Sequence, residues 1–419
     1  MNPLYIIAAV RTPFCKMGTD LAGLTADDLG REACSALLTR TGIDPGELSE
    51  VIFGCVAQPV EAANIARVIA LRSGVPEHVP AVTVHRNCGS GMEAVTSAHQ
   101  RMNAGQGDLF LVGGAESMTH IPLLFPHEAA LHFSELNRAK SSGQKLSAAA
   151  SFNLSDFKPR IGLELGLTDP FSGLIMGDTA EILSREFDIT REAQDHFAAD
   201  SHAKALAHRN QLDSEISPVF ANGNAVTQDN GVRTDSTPEK LATLRPIFDR
   251  ITGTVTAGNS SQLTDGAVAL LVGSEVAANR LGIEPLGLLS AYAYSGCDPT
   301  RMGLGPVHAI AKAKQLSGLT PDDADLVELN EAFAAQALAV LASLRAPKTH
   351  QLDLPAYDIS AEKINPRGGA IALGHPVGAT GARLVLTALD QLRETGGKRA
   401  LATLCIGGGQ GAALYLEKP

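Results

Sequence analysis

Short apolar runs alternate with longer stretches of mixed polarity along this chain, and the same order of signals occurs twice. Near the beginning, a glycine-rich turn at residues 88–91 leads into a helix-like stretch and then an apolar run at residues 109–112 that glycines close. Near the end, a glycine-rich turn at residues 374–381 leads into another helix-like stretch and an apolar run at residues 401–404. Strands separated by helices predict an α/β fold, and the repeated order predicts two related halves.

The pattern changes in the middle of the chain, where helices of mixed polarity are separated by turns rich in Asn, Gly and Asp. We predict a first half at residues 1–120, an inserted loop lobe at residues 121–249, a return to the first half at residues 250–275 and a second half at residues 276–419. Thr190 is the expected N-cap of the clearest helix in the lobe. Such a lobe is expected to cover a functional site, because loops carry function while the scaffold stays rigid.

Composition narrows the functional class. The net charge of −11 argues against general binding to nucleic acid or acidic membranes, so an anionic ligand needs a local positive pocket. The six cysteines include no CxxC pair, which argues against a disulfide framework or a zinc site and favours a reducing, cytoplasmic environment. No basic leader precedes the first apolar run, and no run approaches the ~20 residues of a membrane helix. We therefore expect a cytoplasmic protein with no metal site and no transmembrane segment.

Cys88 is the first candidate for chemistry. It lies between Asn87 and a Gly-Ser-Gly sequence, just before a helix expected to begin near Met92. The free N–H groups and positive dipole of a helix N-terminus favour a thiolate, and the glycines leave backbone N–H groups open to stabilise an oxyanion. Cys88 is a candidate nucleophile; the alternative is a small buried hydrophobe, which is common for an isolated cysteine.

His375 lies on a glycine-rich turn between Gly374 and Pro376, where the backbone rather than a flexible helix holds it. A histidine in this setting is a candidate base that takes a proton from a thiol. The alternative is a turn histidine that bonds a carbonyl group.

Two further candidates lie at predicted strand ends. Cys405 follows the run at 401–404 and precedes three consecutive glycines, which suits a thiol that shuttles a proton; the alternative is a buried strand-end cysteine. Asn330 follows a predicted strand at residues 326–329, where its amide could orient a water or an oxyanion; the alternative is a capping asparagine.

The chain resembles the thiolases, acyl-CoA C-acyltransferases, nearly from end to end. Nine separated stretches carry the resemblance in family order: AAVRTPF, NCGSGMEA, LVGGAESM, MGDTAE, LRPIFD, GTVTAGNSSQLTDGAV, LNEAFAAQ, GGAIALGHPVGATGAR and CIGGGQGAA. The resemblance implies a five-layered α/β/α/β/α thiolase fold built from two duplicated halves. It also implies a loop lobe that holds coenzyme A, and a homodimer or homotetramer.

The resemblance assigns roles by motif. Cys88 is the acylated nucleophile, His375 is the base that activates it, and Cys405 removes or returns the proton on the α-carbon of the acetyl group. Asn330, through a water, would join His375 in binding the thioester oxygen of the CoA-borne acetyl group. The backbone N–H groups of Cys88 and Gly407 would hold the oxygen of the acyl-enzyme.

The same resemblance indicates how the substrate is held. Ser261 matches a serine near the pantetheine, and Met176 matches a methionine that lines the acyl pocket. Ile175 stands where short-chain biosynthetic thiolases have a histidine, which favours longer acyl chains. The basic residues of the lobe, Lys158, Arg160 and Arg233, are candidate contacts for the CoA phosphates, with a solvated surface as the alternative.

The implied reaction is cleavage of a 3-ketoacyl-CoA by free CoA, with CoA as a substrate and no permanently bound cofactor. Several motifs are similar to those of thiolase subunits in β-oxidation complexes, which makes a hydratase/dehydrogenase subunit a possible partner; those subunits often have His where this chain has Asn330. An acetoacetyl-CoA thiolase that condenses two acetyl-CoA molecules is the alternative. A CoA- or lipid-binding protein of this fold is expected to lack one of Cys88, His375 or Cys405. A ketoacyl synthase is expected to have a second histidine in place of Cys405.

Overall fold

The computed structural model describes residues 2–350 and 355–419. Within these residues the chain forms fourteen strands: β1 (Leu4–Arg11), β2 (Cys15–Lys16), β3 (Glu50–Gly54), β4 (Ala81–Val84), β5 (Leu109–Glu116), β6 (Leu123–Leu124), β7 (Arg160–Ile161), β8 (Val219–Ala221), β9 (Asn224–Val226), β10 (Thr264–Gly273), β11 (Gly287–Gly296), β12 (Leu326–Leu329), β13 (Arg399–Ile406) and β14 (Gln410–Glu417).

The same residues form fifteen α-helices: α1 (Ala26–Thr41), α2 (Ile65–Arg72), α3 (Ser90–Asn103), α4 (His127–Arg138), α5 (Ser142–Ala150), α6 (Gly162–Leu167), α7 (Met176–Glu186), α8 (Arg191–Ala207), α9 (Arg209–Ser214), α10 (Pro238–Ala242), α11 (Glu275–Leu281), α12 (Gly305–Ser317), α13 (Ala334–Arg345), α14 (Ala370–Leu373) and α15 (Val377–Thr395).

The main sheet has the strand order β12-β13-β14-β11-β1-β10-β5-β3-β4, with β2 paired to β10. The order on the two sides of the β1–β11 junction is mirrored. On one side, β3 lies parallel to β5 and antiparallel β10 separates β5 from β1; on the other, β12 lies parallel to β13 and antiparallel β14 separates β13 from β11. The repeated order in the sequence therefore corresponds to a repeated arrangement of strands.

Three apolar clusters separate the chain into layers. The central cluster joins α3 and α15 to strands of both sides of the sheet. A second cluster packs α1 and α2 on the outer face of the first side, and a third packs α12 and α13 on the outer face of the other. The result is the expected five-layered α/β/α/β/α arrangement, with α3 and α15 as the buried middle layer.

Glycines let α3, α15 and β5 approach one another closely. A Cβ added at Gly91 of α3 would lie 2.5 Å from the backbone nitrogen of Ala382 in α15, and one at Gly381 would lie 2.6 Å from that of Met92. A Cβ at Gly114 of β5 would lie 2.1 Å from the carbonyl oxygen of Gly378. The first turns of the two helices are therefore in backbone contact with each other and with the end of β5.

The expectation that Gly113 and Gly114 close the strand was wrong, because β5 continues to Glu116. A Cβ at Gly113 would meet the carbonyl oxygen of Val268 at 2.0 Å. These glycines are required by the close approach of neighbouring backbone and not by a turn.

Residues between β5 and β10 form the helices α4 to α10 and two small antiparallel pairs, β6–β7 and β8–β9. The predicted N-cap at Thr190 is confirmed, since its hydroxyl accepts a hydrogen bond of 3.1 Å from the N–H of Ala193. No helix of the described parts of the chain combines the length and apolar character that a membrane crossing requires.

The contact between α3 and α15 leads to a stability prediction. Gly91→Ala should lower the melting temperature, because the added methyl group meets backbone that cannot move independently, and overpacking of this kind costs roughly 1–3 kcal/mol. Gly143→Ala in α5 is the matched control: a Cβ there meets no heavy atom within 4 Å, so the better helix former should be neutral or slightly stabilising. Equal melting temperatures for the two variants would contradict the packing described here.

Candidate active site

Cys88 lies in a tight turn directly before α3. Asn87 adopts the left-handed conformation with φ of 43°. The Ser90 hydroxyl accepts a hydrogen bond from the N–H of Arg86 at 2.9 Å and donates one to the carbonyl of Asn87 at 2.7 Å. The turn is therefore fixed from both ends, and the half-buried thiol is held at the N-terminus of the helix.

The electrostatic surroundings of Cys88 differ from the expectation. Burial, together with the negative charge of Glu116, raises the pKa of the Cys88 thiol, although hydrogen bonds from the backbone N–H groups of Gly407 and of Cys88 itself act in the opposite direction. Desolvation thus outweighs the helix terminus, and the resting thiol is protonated. A nucleophile at this position needs a base.

His375 has the properties of such a base. Its Nδ1 lies 2.6 Å from the Thr380 hydroxyl oxygen, and that hydroxyl donates its one proton to the carbonyl of Pro376 at 3.0 Å. With the hydroxyl proton on that carbonyl, we assign the imidazole proton to Nδ1, where the threonine oxygen accepts it, and this leaves a lone pair on Nε2. Burial and the charge of Arg383 lower the pKa of His375 to about 4, so the imidazole is neutral at neutral pH and free to accept a proton.

Cys405 and Gly407 lie at the end of β13 and in the turn that leads to β14. Burial, and then the charge of Cys88, raise the pKa of the Cys405 thiol well above its usual range, so the two thiols are within electrostatic reach. The carbonyl oxygen of Gly407 accepts a hydrogen bond of 2.7 Å from the side-chain amide of Asn87. Gly407 therefore contacts Asn87 through its carbonyl, and its N–H favours the ionised form of the Cys88 thiol, so it lies beside the turn that carries Cys88.

Asn330 follows β12 and is fully buried. Its backbone N–H bonds the carbonyl of Thr403 on β13 at 3.0 Å. Neither its side-chain Oδ1 nor its Nδ2 has a hydrogen-bond partner within the described residues, which disfavours the capping alternative. A buried amide without a partner costs roughly 1–3 kcal/mol, so Asn330 is suited to hold a molecule that enters the site.

An extended segment at residues 259–264 connects Asn330 to His375. On one side, the N–H of Ser261 bonds the carbonyl of Ala332 at 2.9 Å, two residues beyond Asn330. On the other, the N–H of His375 bonds the carbonyl of Gln262 at 3.1 Å. Half-buried Ser261 thus lies between the two candidate polar groups.

These contacts form a closed ring. The Cys88 turn contacts Gly407 through Asn87, and Gly407 follows β13, which carries Cys405 and pairs with the segment after β12. Residues 259–264 lead on to His375, and the contact between α15 and α3 leads back to the Cys88 turn. Met176 packs against the small apolar cluster of Met302, Ala332 and Cys405, and its Sδ lies 3.4 Å from a Cβ built at Gly407. The segments that contact one another in this way carry seven residues singled out from the sequence: Cys88, Met176, Ser261, Asn330, His375, Cys405 and Gly407.

The basic candidates of the lobe lie outside this ring. Lys158 and Arg160 are exposed, with Arg160 on β7, and no hydrogen bond or ion pair within residues 2–350 and 355–419 connects them to the ring. Arg233 is exposed, and its N–H bonds the buried imidazole of His202 at 3.1 Å. Burial, followed by the charges of Arg233 and Lys16, lowers the pKa of His202 to about 4, so these two cations lie near each other. Ile175, the residue before α7, is half-buried.

Two supporting residues, Thr380 and Glu116, could not be predicted from the sequence. Thr380 sets the tautomer of His375, although a threonine within a glycine-rich run carries no distinctive signal. Buried Glu116 accepts N–H bonds from Val56 at 3.0 Å, Ala57 at 2.9 Å and Gly378 at 2.8 Å, and so holds the start of α15 against the end of β5. The only sequence feature that marks Glu116 is its position just after the apolar run at residues 109–112 and the two glycines that follow.

Comparison with known proteins adds the family. The family model described as "Thiolase, N-terminal domain" matches residues 4–276, and the one described as "Thiolase, C-terminal domain" matches residues 283–418. The chain is 41% identical over 428 residues to the "Probable acetyl-CoA acyltransferase" of Staphylococcus aureus (strain COL), with 100% of each protein covered. It is also 41% identical over 435 residues to the "3-ketoacyl-CoA thiolase" of Idiomarina loihiensis, again with 100% of each covered.

Two solved structures of similar proteins agree with the family match. The acetyl-CoA acetyltransferase of Bacillus anthracis superposes with a TM-score of 0.86 at 36% identity, covering 100% of this chain and 99% of that one. Human mitochondrial 3-ketoacyl-CoA thiolase in complex with CoA superposes with a TM-score of 0.86 at 36% identity, covering 100% of this chain and 98% of that one.

The low pKa of His375 predicts a loss of stability in acid. The unfolded chain takes up a proton near pH 6.5, whereas the folded imidazole takes one up only near pH 4. The stability present above pH 6.5 is therefore lost as the pH falls from 6.5 to 4, by up to roughly 3 kcal/mol.

Thermal melts at pH 7 and pH 4.5 test this prediction. His375→Asn keeps a donor near the position of Nδ1 and removes the titrating ring, so its melting temperature should fall less than that of the native protein over this interval. His196→Asn on the exposed side of α8 is the control and should retain the native slope. An unchanged slope in His375→Asn would show that the imidazole is not held neutral by burial.

Proposed function

The chain belongs to the thiolase family and is an acyltransferase, and from this premise we propose that it cleaves 3-ketoacyl-CoA with free CoA through an acyl-enzyme on Cys88. The products are acetyl-CoA and an acyl-CoA shortened by the acetyl unit. The observation that carries the proposal is the hydrogen bond from Asn87 to Gly407, which ties the turn after Cys405 to the turn that carries Cys88. The effect of the Gly407 N–H on the pKa of Cys88, and of Cys88 on the pKa of Cys405, supports it.

In the first half-reaction, His375 takes the proton of the Cys88 thiol at Nε2, and the thiolate attacks the keto carbon of the substrate. The bond between the keto carbon and the α-carbon breaks, and its electron pair leaves as the enolate of acetyl-CoA. Cys405 donates its proton to that α-carbon and becomes a thiolate. The high pKa of Cys405 supports this role, because the thiol retains its proton until a strongly basic carbon is present.

In the second half-reaction, the Cys405 thiolate takes the proton of the incoming CoA thiol, and the CoA sulfur attacks the acyl-enzyme. Cys88 departs as the leaving group and recovers its proton from His375. Protons and electron pairs balance over the cycle, and the residues return to their resting states without a metal or a bound redox cofactor.

Two donor sets would stabilise the oxygen atoms that become negative. The N–H groups of Cys88 and Gly407 would hold the oxygen of the acyl-enzyme; their effect on the pKa of the Cys88 thiol supports this. Asn330, through a water, and the protonated Nε2 of His375 would hold the enolate oxygen. The unpaired buried amide of Asn330 supports that assignment, and one preorganised donor contributes about 10²–10³ in rate.

Substrate binding is assigned by the same reasoning. The relative solved with CoA supports CoA as the substrate of this chain. We assign Ser261 to the pantetheine, Arg233 with the neighbouring Lys16 to the phosphates, and Met176 to the acyl pocket; Lys158 and Arg160 are further candidate phosphate contacts from the lobe at residues 121–249. Half-buried Ile175 favours longer acyl chains than a histidine would.

This activity fits fatty-acid β-oxidation, and we propose a cytoplasmic homodimer or homotetramer that works alone or with a hydratase/dehydrogenase subunit. The second candidate is an acetoacetyl-CoA thiolase that joins two acetyl-CoA molecules. Similarity to the acetyl-CoA acetyltransferase of Bacillus anthracis favours this second candidate, at 36% identity.

Thiolysis of a 3-ketoacyl-CoA series, from acetoacetyl-CoA upward in chain length, tests the proposal. We expect activity to rise with chain length and to be abolished in Cys88→Ala, because no thiol then forms the acyl-enzyme. Cys34→Ala removes another buried thiol, in α1, and should keep the activity. Activity confined to acetoacetyl-CoA would favour the second candidate, and activity retained by Cys88→Ala would exclude the mechanism.

Asn330→Leu separates function from stability. Leucine has a similar shape and no polar atoms, so removing the unpaired amide should leave the melting temperature equal or higher, while kcat should fall by about 100-fold. Asn365→Leu is the contrasting variant, because the Asn365 side chain bonds the backbone N–H of Leu329 at 2.8 Å and its carbonyl at 2.9 Å. That variant should melt at a lower temperature. Full activity in Asn330→Leu would remove Asn330 from the mechanism.

A further inference from the structure

The residue before Cys88 has no chemical step of its own in the proposed mechanism, but its side chain contacts the turn that carries Gly407. Asn87 belongs to the turn that leads into α3, whereas Gly407 belongs to the turn between β13 and β14 on the far side of the central layer. The side-chain Nδ2 of Asn87 donates a hydrogen bond of 2.7 Å to the carbonyl oxygen of Gly407. The N–H of the same glycine acts to lower the pKa of the thiol of the next residue, Cys88.

We propose that Asn87 is a positioning residue whose side-chain amide fixes Gly407, so that the N–H of this glycine stays directed at the sulfur of Cys88 and at the oxygen of the acyl group bound there. The part of the proposal that concerns the acyl oxygen rests on the proposed function. The part that concerns the sulfur of Cys88 does not depend on the proposed function.

Gly407 needs such a restraint. It begins a run of three glycines in which Gly408 and Gly409 adopt φ of 84° and 74°. Regular pairing of the two strands ends at Ile406 opposite Gln410, so the strand ladder itself does not hold Gly407. A glycine has wide conformational freedom, and a donor contributes fully to catalysis only if its direction is set before the reaction begins. The bond from Asn87 anchors the carbonyl of Gly407 from outside the turn, which limits the displacement of the whole residue, its N–H included.

The geometry at Asn87 favours a side chain that reaches across. Asparagine is one of the few residues that tolerate the left-handed region, and glycine tolerates it equally well. If the backbone conformation were the only requirement, glycine would serve at position 87. The tie to Gly407 requires the side-chain amide, so Asn87→Gly and Asn87→Ala distinguish the two requirements.

The experiment measures alkylation of Cys88 by iodoacetamide as a function of pH, followed by mass spectrometry of the peptide that contains Cys88. Site resolution matters because half-buried Cys297 can also react. Alkylation needs no substrate, so it reports on the sulfur even if the proposed reaction is wrong. Steady-state thiolysis of a 3-ketoacyl-CoA by the same proteins is the second readout.

In Asn87→Gly the backbone conformation is kept and the tie is lost. The N–H bond from Gly407 lowers the pKa of the Cys88 thiol, so weakening it should move the alkylation profile to higher pH and slow alkylation at pH 7 by about three- to tenfold. We expect kcat to fall about tenfold or more and KM for CoA to change less than twofold, because the donor acts on the reacting oxygen and not on CoA binding.

Two further variants complete the test. Asn87→Asp keeps the shape and the left-handed preference but cannot donate to a carbonyl when ionised, so it should react more slowly still and provides a second reading if the glycine variant folds poorly. Asn222→Gly is the matched control, since Asn222 has a similar φ of 52° in an exposed turn and should leave both readouts native.

A native alkylation profile in Asn87→Gly, with loss of stability only in Asn87→Ala, would overturn the proposal and leave Asn87 with a backbone role alone. If the native chain has no thiolase activity but Asn87→Gly still shifts the alkylation profile of Cys88, the role of Asn87 toward the sulfur stands and the proposed function is rejected.

Discussion

The close approach of α3 and α15 is the constraint on which the site depends. The residues that precede the two helices, Cys88 and His375, belong to opposite ends of the sequence, and the segments that carry them approach each other because glycines allow the first turns of the helices to touch. The buried carboxylate of Glu116 accepts an N–H at the start of α15 and two more beyond β3, so it holds this contact in place. A side chain at Gly91 or Gly381 would separate the helices and with them the two groups.

Burial in this middle layer also sets the chemical state of the site. The pKa of Cys88 is raised and that of His375 is lowered to about 4, so both groups are neutral at rest. Moving the proton between them creates two charges in a region from which water is largely excluded, and such a step is unfavourable unless fixed donors compensate. The N–H groups of Gly407 and Cys88 provide this compensation for the sulfur. The same surroundings that make the resting site unreactive thus make backbone donors effective.

The candidate site residues and the two-sided architecture could be predicted where the signal lies in neighbouring residues of the sequence. Cys88, His375 and Cys405 stand out because each is flanked by glycines, and the repeated order of runs indicates the two-sided architecture. Other features depend on contacts across the fold. Gly113 and Gly114 were read as the end of a strand, since a glycine required by a distant carbonyl looks the same in sequence as a glycine required by a turn. The helix terminus favoured a thiolate at Cys88, but the burial that outweighs it is a property of the assembled layers. The unpaired amide of Asn330 and the threonine that orients His375 are likewise visible only in three dimensions.

The position of β10 has a consequence for how the chain folds. This strand lies between β1 and β5 in the sheet, although about 150 residues, including the whole lobe, separate it from β5 along the chain. The first side of the sheet is therefore incomplete until residue 273 has left the ribosome, and both edges of β1 stay unpaired while the lobe is synthesised, because its neighbours β10 and β11 both follow the lobe in the chain. Pairings of such high contact order form slowly, and an exposed edge is prone to join the wrong strand. Biogenesis of this protein thus has a vulnerable interval built into its topology, during which shielding by a chaperone would matter more than in a chain whose neighbouring strands are consecutive.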